Sequence, residues 1–130
     1  MKKQQFGAGI WHFATYVDRY ATDGYGEPRS VLDAIELAGK VKDLSVVDIN
    51  YPYFGGNFSN EEIKASLDKV NLKVIGITPE IYTKEFRKGA FTNPDPGIRN
   101  RAHELITEAC DAVRFFNAAY VKLWPGQDGW

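Results

Sequence analysis

Four positions near the ends of expected strands carry side chains that could bind a ligand. Trp11 and His12 lie near the end of the first apolar run, Asn50 near the end of the second and Trp124 at the end of the last. A tryptophan offers a broad apolar face with one hydrogen-bond donor, and a histidine exchanges a proton near neutral pH. These residue types indicate a ligand-binding site at the strand ends.

The elements that must position these residues alternate between strand and helix. Extended apolar runs at 6–13, 44–51, 72–78 and 119–124 predict strands, and a segment with helical spacing of apolar residues follows each of the first three. Strands joined by crossover helices lie parallel, and parallel sheets bind ligands at the carboxyl ends of their strands. The sequence therefore predicts an α/β fold whose strand ends meet around one site.

The length of the chain limits the architecture. A closed (β/α)8 barrel needs roughly 250 residues, and this chain has 130. We therefore expect one domain, residues 1–130, that forms a parallel half-barrel equivalent to the first four strands of a TIM barrel. A fragment of a longer protein, a pair of half-barrels and a flatter sandwich are all compatible with this pattern. Two long loops, at 14–27 and 80–93, are of the length typical of functional loops.

Composition excludes several classes of protein. The chain is 44% hydrophobic and 25% charged with a formal net charge of −1, so bulk charge favours neither nucleic acid nor an anionic membrane as a partner. One cysteine excludes a disulfide framework and a cysteine-rich metal site. The sequence contains no run of 18 apolar residues and no signal-peptide pattern, so we expect a cytoplasmic protein.

Several motifs, taken in order, carry a resemblance to a known superfamily. They are Gly9-Ile10-Trp11, Leu72-Lys73-Val74, Thr78-Pro79-Glu80-Ile81-Tyr82-Thr83, Gly89-Ala90-Phe91-Thr92-Asn93 before Ile98-Arg99, and Tyr120-Val121-Lys122-Leu123-Trp124-Pro125-Gly126. Together they resemble the amino-terminal half of the xylose isomerase-like TIM barrels. That superfamily holds metal-dependent sugar isomerases and epimerases, together with the endonuclease IV type of DNA-repair enzyme.

The resemblance implies a substrate-lining role for residues at the strand ends. Trp11 and Trp124 match aromatic residues that line the sugar pocket of xylose isomerase, and Tyr82 falls where that enzyme has a phenylalanine. Asn50 falls where it has the histidine associated with opening the sugar ring. This departure disfavours direct aldopentose isomerisation and favours a ketose, a keto-sugar phosphate or a polyol-like substrate.

The same resemblance implies that the reacting groups lie elsewhere. In this superfamily the metal-binding carboxylates and the lysine near the transferred hydrogen lie on later strands, which this sequence does not contain. We therefore predict a divalent metal (Mn, Mg, Co or Zn) in the full-length parent, no metal held by this chain alone, and no catalytic residue within it.

Each candidate also has a purely structural interpretation. Trp11 and Trp124 could pack in the barrel core, and His12 could be a structural hydrogen-bonding residue rather than a substrate donor. Asp48 and Asn50 alternate onto one face of their strand, where a buried carboxylate needs a cation or donors. Lys122, if it points into the barrel, must pair with a carboxylate such as Asp48 or Glu80; if it points outward, it only extends its ammonium group to solvent.

The sequence therefore supports two hypotheses of different classes. In the first, the chain is a fragment of a metal-dependent sugar or sugar phosphate isomerase or epimerase, inactive alone, and Trp11, His12, Asn50, Tyr82 and Trp124 bind the carbohydrate. In the second, it is a non-catalytic half-barrel module that dimerises through its exposed sheet. The possible protein partners are a second copy or the missing carboxyl-terminal half, with no nucleic acid and no membrane.

Overall fold

The computed structural model describes residues 4–15, 20, 24–126 and 128–129, so residues 16–19 and 21–23 of the first predicted loop lie outside the described residues. Within these ranges, four strands alternate with three α-helices. The elements are β1 (Phe6–Gly9), α1 (Val31–Ala38), β2 (Leu44–Tyr51), α2 (Asn60–Lys69), β3 (Lys73–Pro79), α3 (Pro96–Phe116) and β4 (Tyr120–Val121). Short 3₁₀ turns occupy Ile10–Phe13 and Lys84–Phe86.

The strands form one sheet in the order β1-β2-β3-β4, and each neighbouring pair is parallel. The predicted α/β class with a parallel sheet is confirmed, and the sequential strand order is that of the first half of a (β/α)8 barrel. The bounds of β2 agree with the predicted run, and those of β3 differ from it by one residue.

The first two helices begin at capping boxes. Ser30 accepts a hydrogen bond from the backbone N–H of Asp33, whose carboxylate accepts one from the backbone N–H of Ser30 at 2.8 Å. Ser59 and Glu62 repeat the arrangement at the start of α2. Reciprocal capping satisfies backbone donors that have no partner within the helix, which fixes where each crossover helix leaves the loop.

The third helix is the longest element and its two ends are clearly marked. Asp95 caps its first turn by accepting from Gly97 N at 2.7 Å, and Pro96 occupies a position where its missing N–H costs nothing. Asn117 ends it in the left-handed conformation, with φ of 51°. None of the helices in the described ranges, α3 included, combines the length and apolar character that a membrane crossing requires.

The two faces of the sheet differ in what lies against them. Val47, Ile49 and Ile77 have no exposed surface and belong to one core that includes buried residues from each of the three helices. Because side chains alternate along a strand, the opposite face of β2 and β3 carries Val46, Asp48, Asn50, Gly76 and Thr78, and we call this the inner face. The helices therefore lie on one side of the sheet, and the polar residues lie on the other.

The predicted extent of the first strand is wrong. Pairing with β2 stops at Gly9, opposite Asp48, and residues 10–13 form a 3₁₀ turn instead of continuing the strand. The turn buries Ile10 completely, and the Trp11 indole folds back so closely over Gly9 that a Cβ atom there would lie 2.1 Å from the ring. The burial of Ile10 and the packing of the Trp11 ring over Gly9 together stabilise the turn more than further pairing with β2 would.

The fourth strand is also shorter than predicted. Only Tyr120 and Val121 pair with β3, opposite Gly76 and Ile77, and the chain beyond Lys122 leaves the sheet. The next backbone donor that β3 could offer along this ladder belongs to Pro79, which has no N–H. Trp124 is therefore carried by a loop and not by a strand.

Candidate functional site

A cavity of about 350 Å³ opens at the carboxyl edge of the sheet. Its lining consists of Trp11, Thr78, Tyr82, Lys122, Leu123 and Trp124. These residues come from the ends of β1, β3 and β4 and from the loops that follow them. The structure thus brings together three of the five predicted site residues, as expected for parallel strands whose carboxyl ends share one edge.

Aromatic rings form one wall of the cavity. The rings of Tyr82 and Trp124 lie with their centroids 5.3 Å apart, tilted by 47°, and Trp124 is 62% exposed. Gly126 follows with φ of 50°, and a Cβ atom there would lie 3.1 Å from the Tyr82 Cβ, so the loop after β4 approaches Tyr82 closely. A large indole face left open beside a cavity is typical of a binding surface.

Asn50 supports this wall from behind. Its Nδ2 donates to the Tyr82 hydroxyl at 2.6 Å, and its side chain is almost completely buried. Its Oδ1 has no hydrogen-bond partner among the described residues. Asn50 does not line the cavity itself. It contacts Tyr82, which does line the cavity.

Lys122, one of the residues that line this cavity, forms a charged pair with Asp48, which is not itself in the lining. Asp48, buried on the inner face, accepts from the Thr78 hydroxyl at 2.6 Å and pairs with Lys122 Nζ at 3.4 Å. The same ammonium lies 4.1 Å from the centroid of the Trp11 ring. Of the two positions that the sequence left open for Lys122, the structure shows the inward one, with Asp48 as its partner. The lysine joins a buried carboxylate to an aromatic wall, where a cation is attracted by the ring face.

A second and larger concavity, of about 520 Å³, covers the inner face itself. Its lining includes Gly7, Gly9, Trp11, Val46, Asp48, Ile75, Tyr120 and Lys122. The Tyr120 ring lies against Gly76, where a Cβ atom would be 2.1 Å from it. This face has no second layer of secondary structure in the described ranges, which is why Tyr120 and Trp11 remain partly exposed.

His12 takes a different position from the other predicted residues. It is exposed on the 3₁₀ turn, its ring centroid lies 5.8 Å from that of Trp11, and it does not line the cavity. Its proposed contact with a substrate stays a prediction. Thr78 and Leu123 line the cavity but were not among the predicted site residues; the alternation of β3 placed Thr78 beside Asn50, and this signal could have identified it.

The hydroxyl of Tyr82 has a higher pKa than that of an ordinary tyrosine. Burial raises the pKa of Tyr82 to about 12, with a further rise from the charge of Glu80 and a smaller opposing effect from the hydrogen bond of Asn50. Burial also raises the pKa of Glu80, which directly follows β3. Tyr82 is therefore a neutral hydrogen-bonding group throughout the physiological pH range.

The described residues do not fit a metal site. Across them, no group of three histidine, cysteine, aspartate or glutamate side chains lies close enough to hold an ion. Asp48 is committed to Thr78 and Lys122. The site can therefore bind and orient a ligand through aromatic faces, a hydroxyl and an ammonium, and no chemical step through a metal follows from these residues.

We expect the Tyr82 phenol to titrate late. A raised folded-state pKa means that its contribution to stability is intact below the unfolded value of about 10 and is lost as the pH rises from there toward 12. The difference in tyrosinate absorbance between wild type and Tyr82→Phe should appear only near pH 12. A difference that is complete by pH 10.5 would contradict the buried position of the ring.

We also expect the Lys122–Asp48 pair to be coupled. Lys122→Met leaves Asp48 without its cation and should lower the free energy of unfolding by about 1–3 kcal/mol. The loss should shrink in an Asp48→Asn background, because a neutral amide needs no cation. Urea unfolding of the wild type, Lys122→Met, Asp48→Asn and the double variant measures both losses. Lys64→Met, which breaks an exposed pair with Asp68, is the control and should cost under about 0.5 kcal/mol. Equal losses in both backgrounds would refute the coupling.

Comparison with known proteins gives xylose isomerases as relatives. The chain is 27% identical to the xylose isomerase of Thermus thermophilus over 139 aligned positions, which cover 98% of this chain and 35% of that protein. It is 28% identical to the xylose isomerase of a Chelativorans species over 69 positions, or 52% of this chain and 16% of that protein. The chain thus spans about a third of the length of the first relative. No protein-family model matches it. The chain is therefore similar along almost its whole length to one xylose isomerase and along about half of it to another.

Proposed function

We propose that this chain forms the substrate-lining part of the pocket of a sugar or sugar phosphate isomerase or epimerase. The observation that carries the proposal is the cavity at the carboxyl edge of the sheet, walled by Trp11, Tyr82 and Trp124. The similarity to two xylose isomerases supports it, because the aligned region includes nearly the whole of this chain in one case.

The lining suits a carbohydrate on chemical grounds. A sugar ring presents apolar C–H groups on its faces and hydroxyl groups at its rim, so it binds between aromatic faces and polar side chains. The exposed indole of Trp124 offers the apolar face, and Thr78 and Lys122 are the polar residues of the lining. In this proposal the chain binds and orients the sugar and excludes water from one side of it.

The nature of Asn50 bears on the class of sugar. Its amide is neutral and donates to Tyr82, so it cannot take up a proton as an imidazole would. Opening a cyclic sugar calls for such a proton transfer. We therefore propose a substrate that is bound without ring opening at Asn50, namely a ketose or keto-sugar phosphate in its open-chain form or a polyol-like substrate, with Tyr82 held as a neutral hydrogen-bonding group.

The remaining chemistry belongs to parts of the protein beyond these residues. Moving a hydrogen between adjacent carbons needs a group that polarises the oxygens and a group that accepts the proton. We propose that further strands supply a divalent metal and the proton acceptor, and that this chain alone is inactive. The long relatives, of which this chain spans about a third or less, are consistent with this division.

Carbohydrate binding tests the proposal directly. Titration of the chain with D-fructose, D-fructose 6-phosphate and D-xylose, followed by saturation-transfer NMR, should give weak binding with the ketose forms preferred. Trp124→Ala should lower the affinity by about three- to tenfold, because one aromatic contact contributes about 0.5–1.5 kcal/mol. Phe115→Ala, which removes an exposed aromatic ring on α3 outside the cavity, is the control and should bind as wild type does. Unchanged affinity in Trp124→Ala would contradict the assigned wall.

The open inner face favours a second candidate function, a non-catalytic half-barrel module that self-associates. Tyr120 is 41% exposed on this face although it lies on a strand. If the module interpretation is correct, sedimentation should give twice the 14.7 kDa mass of one chain, Tyr120→Glu should give the single-chain mass, and none of the three sugars should bind. A single-chain mass for wild type would exclude this candidate.

A further inference from the structure

We propose that Asp128 is a positioning residue whose carboxylate, bound by consecutive backbone N–H groups of the loop after β3, holds Trp124 in place as a wall of the cavity. The part of this inference that concerns sugar affinity rests on the proposed function. The part that concerns the position of Trp124 does not.

Four donors converge on the Asp128 carboxylate. Its Oδ1 accepts from Ala90 N at 2.8 Å, from Thr92 N at 3.0 Å and from the Thr92 hydroxyl at 2.8 Å. Its Oδ2 accepts from Phe91 N at 3.3 Å. Three successive backbone N–H groups directed at one anion form the concave arrangement that proteins use to bind phosphates and carboxylates. Hydrogen bonds to a charged acceptor are stronger than neutral ones, so this contact is a tether and not an incidental one.

The loop is shaped to receive this carboxylate. Gly89 has φ of 94°, a conformation that residues with a Cβ rarely adopt, and a Cβ atom there would lie 2.8 Å from Asp128 Oδ1 and 2.6 Å from Thr92 Oγ1. A glycine at position 89 therefore permits both the backbone conformation of the turn and the close approach of the Asp128 carboxylate. Gly129 N donates a hydrogen bond to Thr92 Oγ1 at 3.3 Å, which adds a second contact between this segment and the loop after β3.

The loop itself is fixed to the body of the protein. The buried Asn93 donates through Nδ2 to Gly89 O at 2.7 Å and accepts at Oδ1 from Asp95 N at 3.0 Å. Arg99 of α3 donates to Asn93 O at 2.6 Å. The N–H groups that bind Asp128 are thus anchored to the start of α3, so the carboxylate is held at a defined point.

Trp124 needs such a tether because the sheet does not hold it. Pairing of β4 ends at Val121, and the indole contacts Tyr82 while most of its surface is exposed. Asp128 N also donates to Pro125 O at 3.0 Å, so Asp128 is bonded directly to the residue that follows Trp124. Fixing Asp128 to the loop after β3 therefore fixes Trp124, four residues earlier, beside Tyr82.

The charge state of Asp128 agrees with this role. Burial raises the pKa of Asp128, but the hydrogen bonds from Thr92, Phe91 and Ala90 together outweigh that effect and hold the pKa below its ordinary value. The carboxylate is therefore ionised at neutral pH, as a tether of this kind requires.

The position of Trp124 can be followed by ¹⁹F NMR of the full chain labelled with 5-fluorotryptophan, with Trp124→Phe to assign the signal. In Asp128→Ala the Trp124 resonance should shift toward the solvent-exposed value, while the Trp11 resonance stays in place. Acetate at 100 mM should not move the Trp124 resonance back, because a free carboxylate can occupy the vacated donors but has no covalent link to Trp124; chloride at equal ionic strength is the salt control. Asp111→Ala, which removes an exposed acid on α3, is the control and should leave the signal unchanged.

The outcomes separate this inference from the proposed function. An unchanged Trp124 resonance in Asp128→Ala, or a shift that free acetate reverses, overturns the tether whether or not sugar binds. If wild type binds a sugar, Asp128→Ala should lose the same three- to tenfold as Trp124→Ala, and the double variant should lose no more. Should Asp128→Ala fail to fold, Asp128→Asn keeps the size of the side chain and should shift the resonance in the same direction.

Discussion

The carboxylate of Asp48 lies almost out of solvent on the inner face of the sheet, and a charge in that position requires donors. Thr78 supplies one from β3, and Lys122 supplies an ammonium from the end of β4. One buried anion thus joins three neighbouring strands on the side that is left uncovered by the helices of the described residues. Its need for a cation draws Lys122 inward, and the ammonium in turn lies against Trp11. The positions of Lys122 and Trp11 in the lining of the cavity therefore depend on this single electrostatic requirement.

Small residues make the rest of that arrangement possible. Gly9 and Gly76 leave room on the inner face for the rings of Trp11 and Tyr120, which lie where a side chain at either glycine would collide with them. The rings cover part of the sheet that would otherwise face solvent. They remain partly exposed, so the face is covered incompletely. A face of this kind is compatible with further (β/α) units or with a second copy lying against it.

The site is built from two supports of different kinds. The sheet positions Asn50, Thr78 and Lys122 through regular pairing, so their relative places follow from register. The loops position Tyr82 and Trp124, and those loops are fastened by Asn50 and by Asp128. Loops carry ligand-binding residues in many proteins because they can vary while the scaffold stays fixed. Here the loop after β3 takes part in both contacts, through Tyr82 with Asn50 and through Ala90 with Asp128.

The sequence by itself determined the order and type of the main elements. Apolar periodicity and the serine caps placed three helices and four parallel strands, since these signals depend on neighbours close in the chain. It also indicated that Trp11, Tyr82 and Trp124 belong at one edge. The early end of β1 at Gly9, the shortness of β4 and the exposed place of His12 were decided by tertiary packing. Ring packing over Gly9, the missing donor of Pro79 and the bonds of Asp128 to residues nearly forty positions away are contacts between distant segments, which local sequence patterns do not specify.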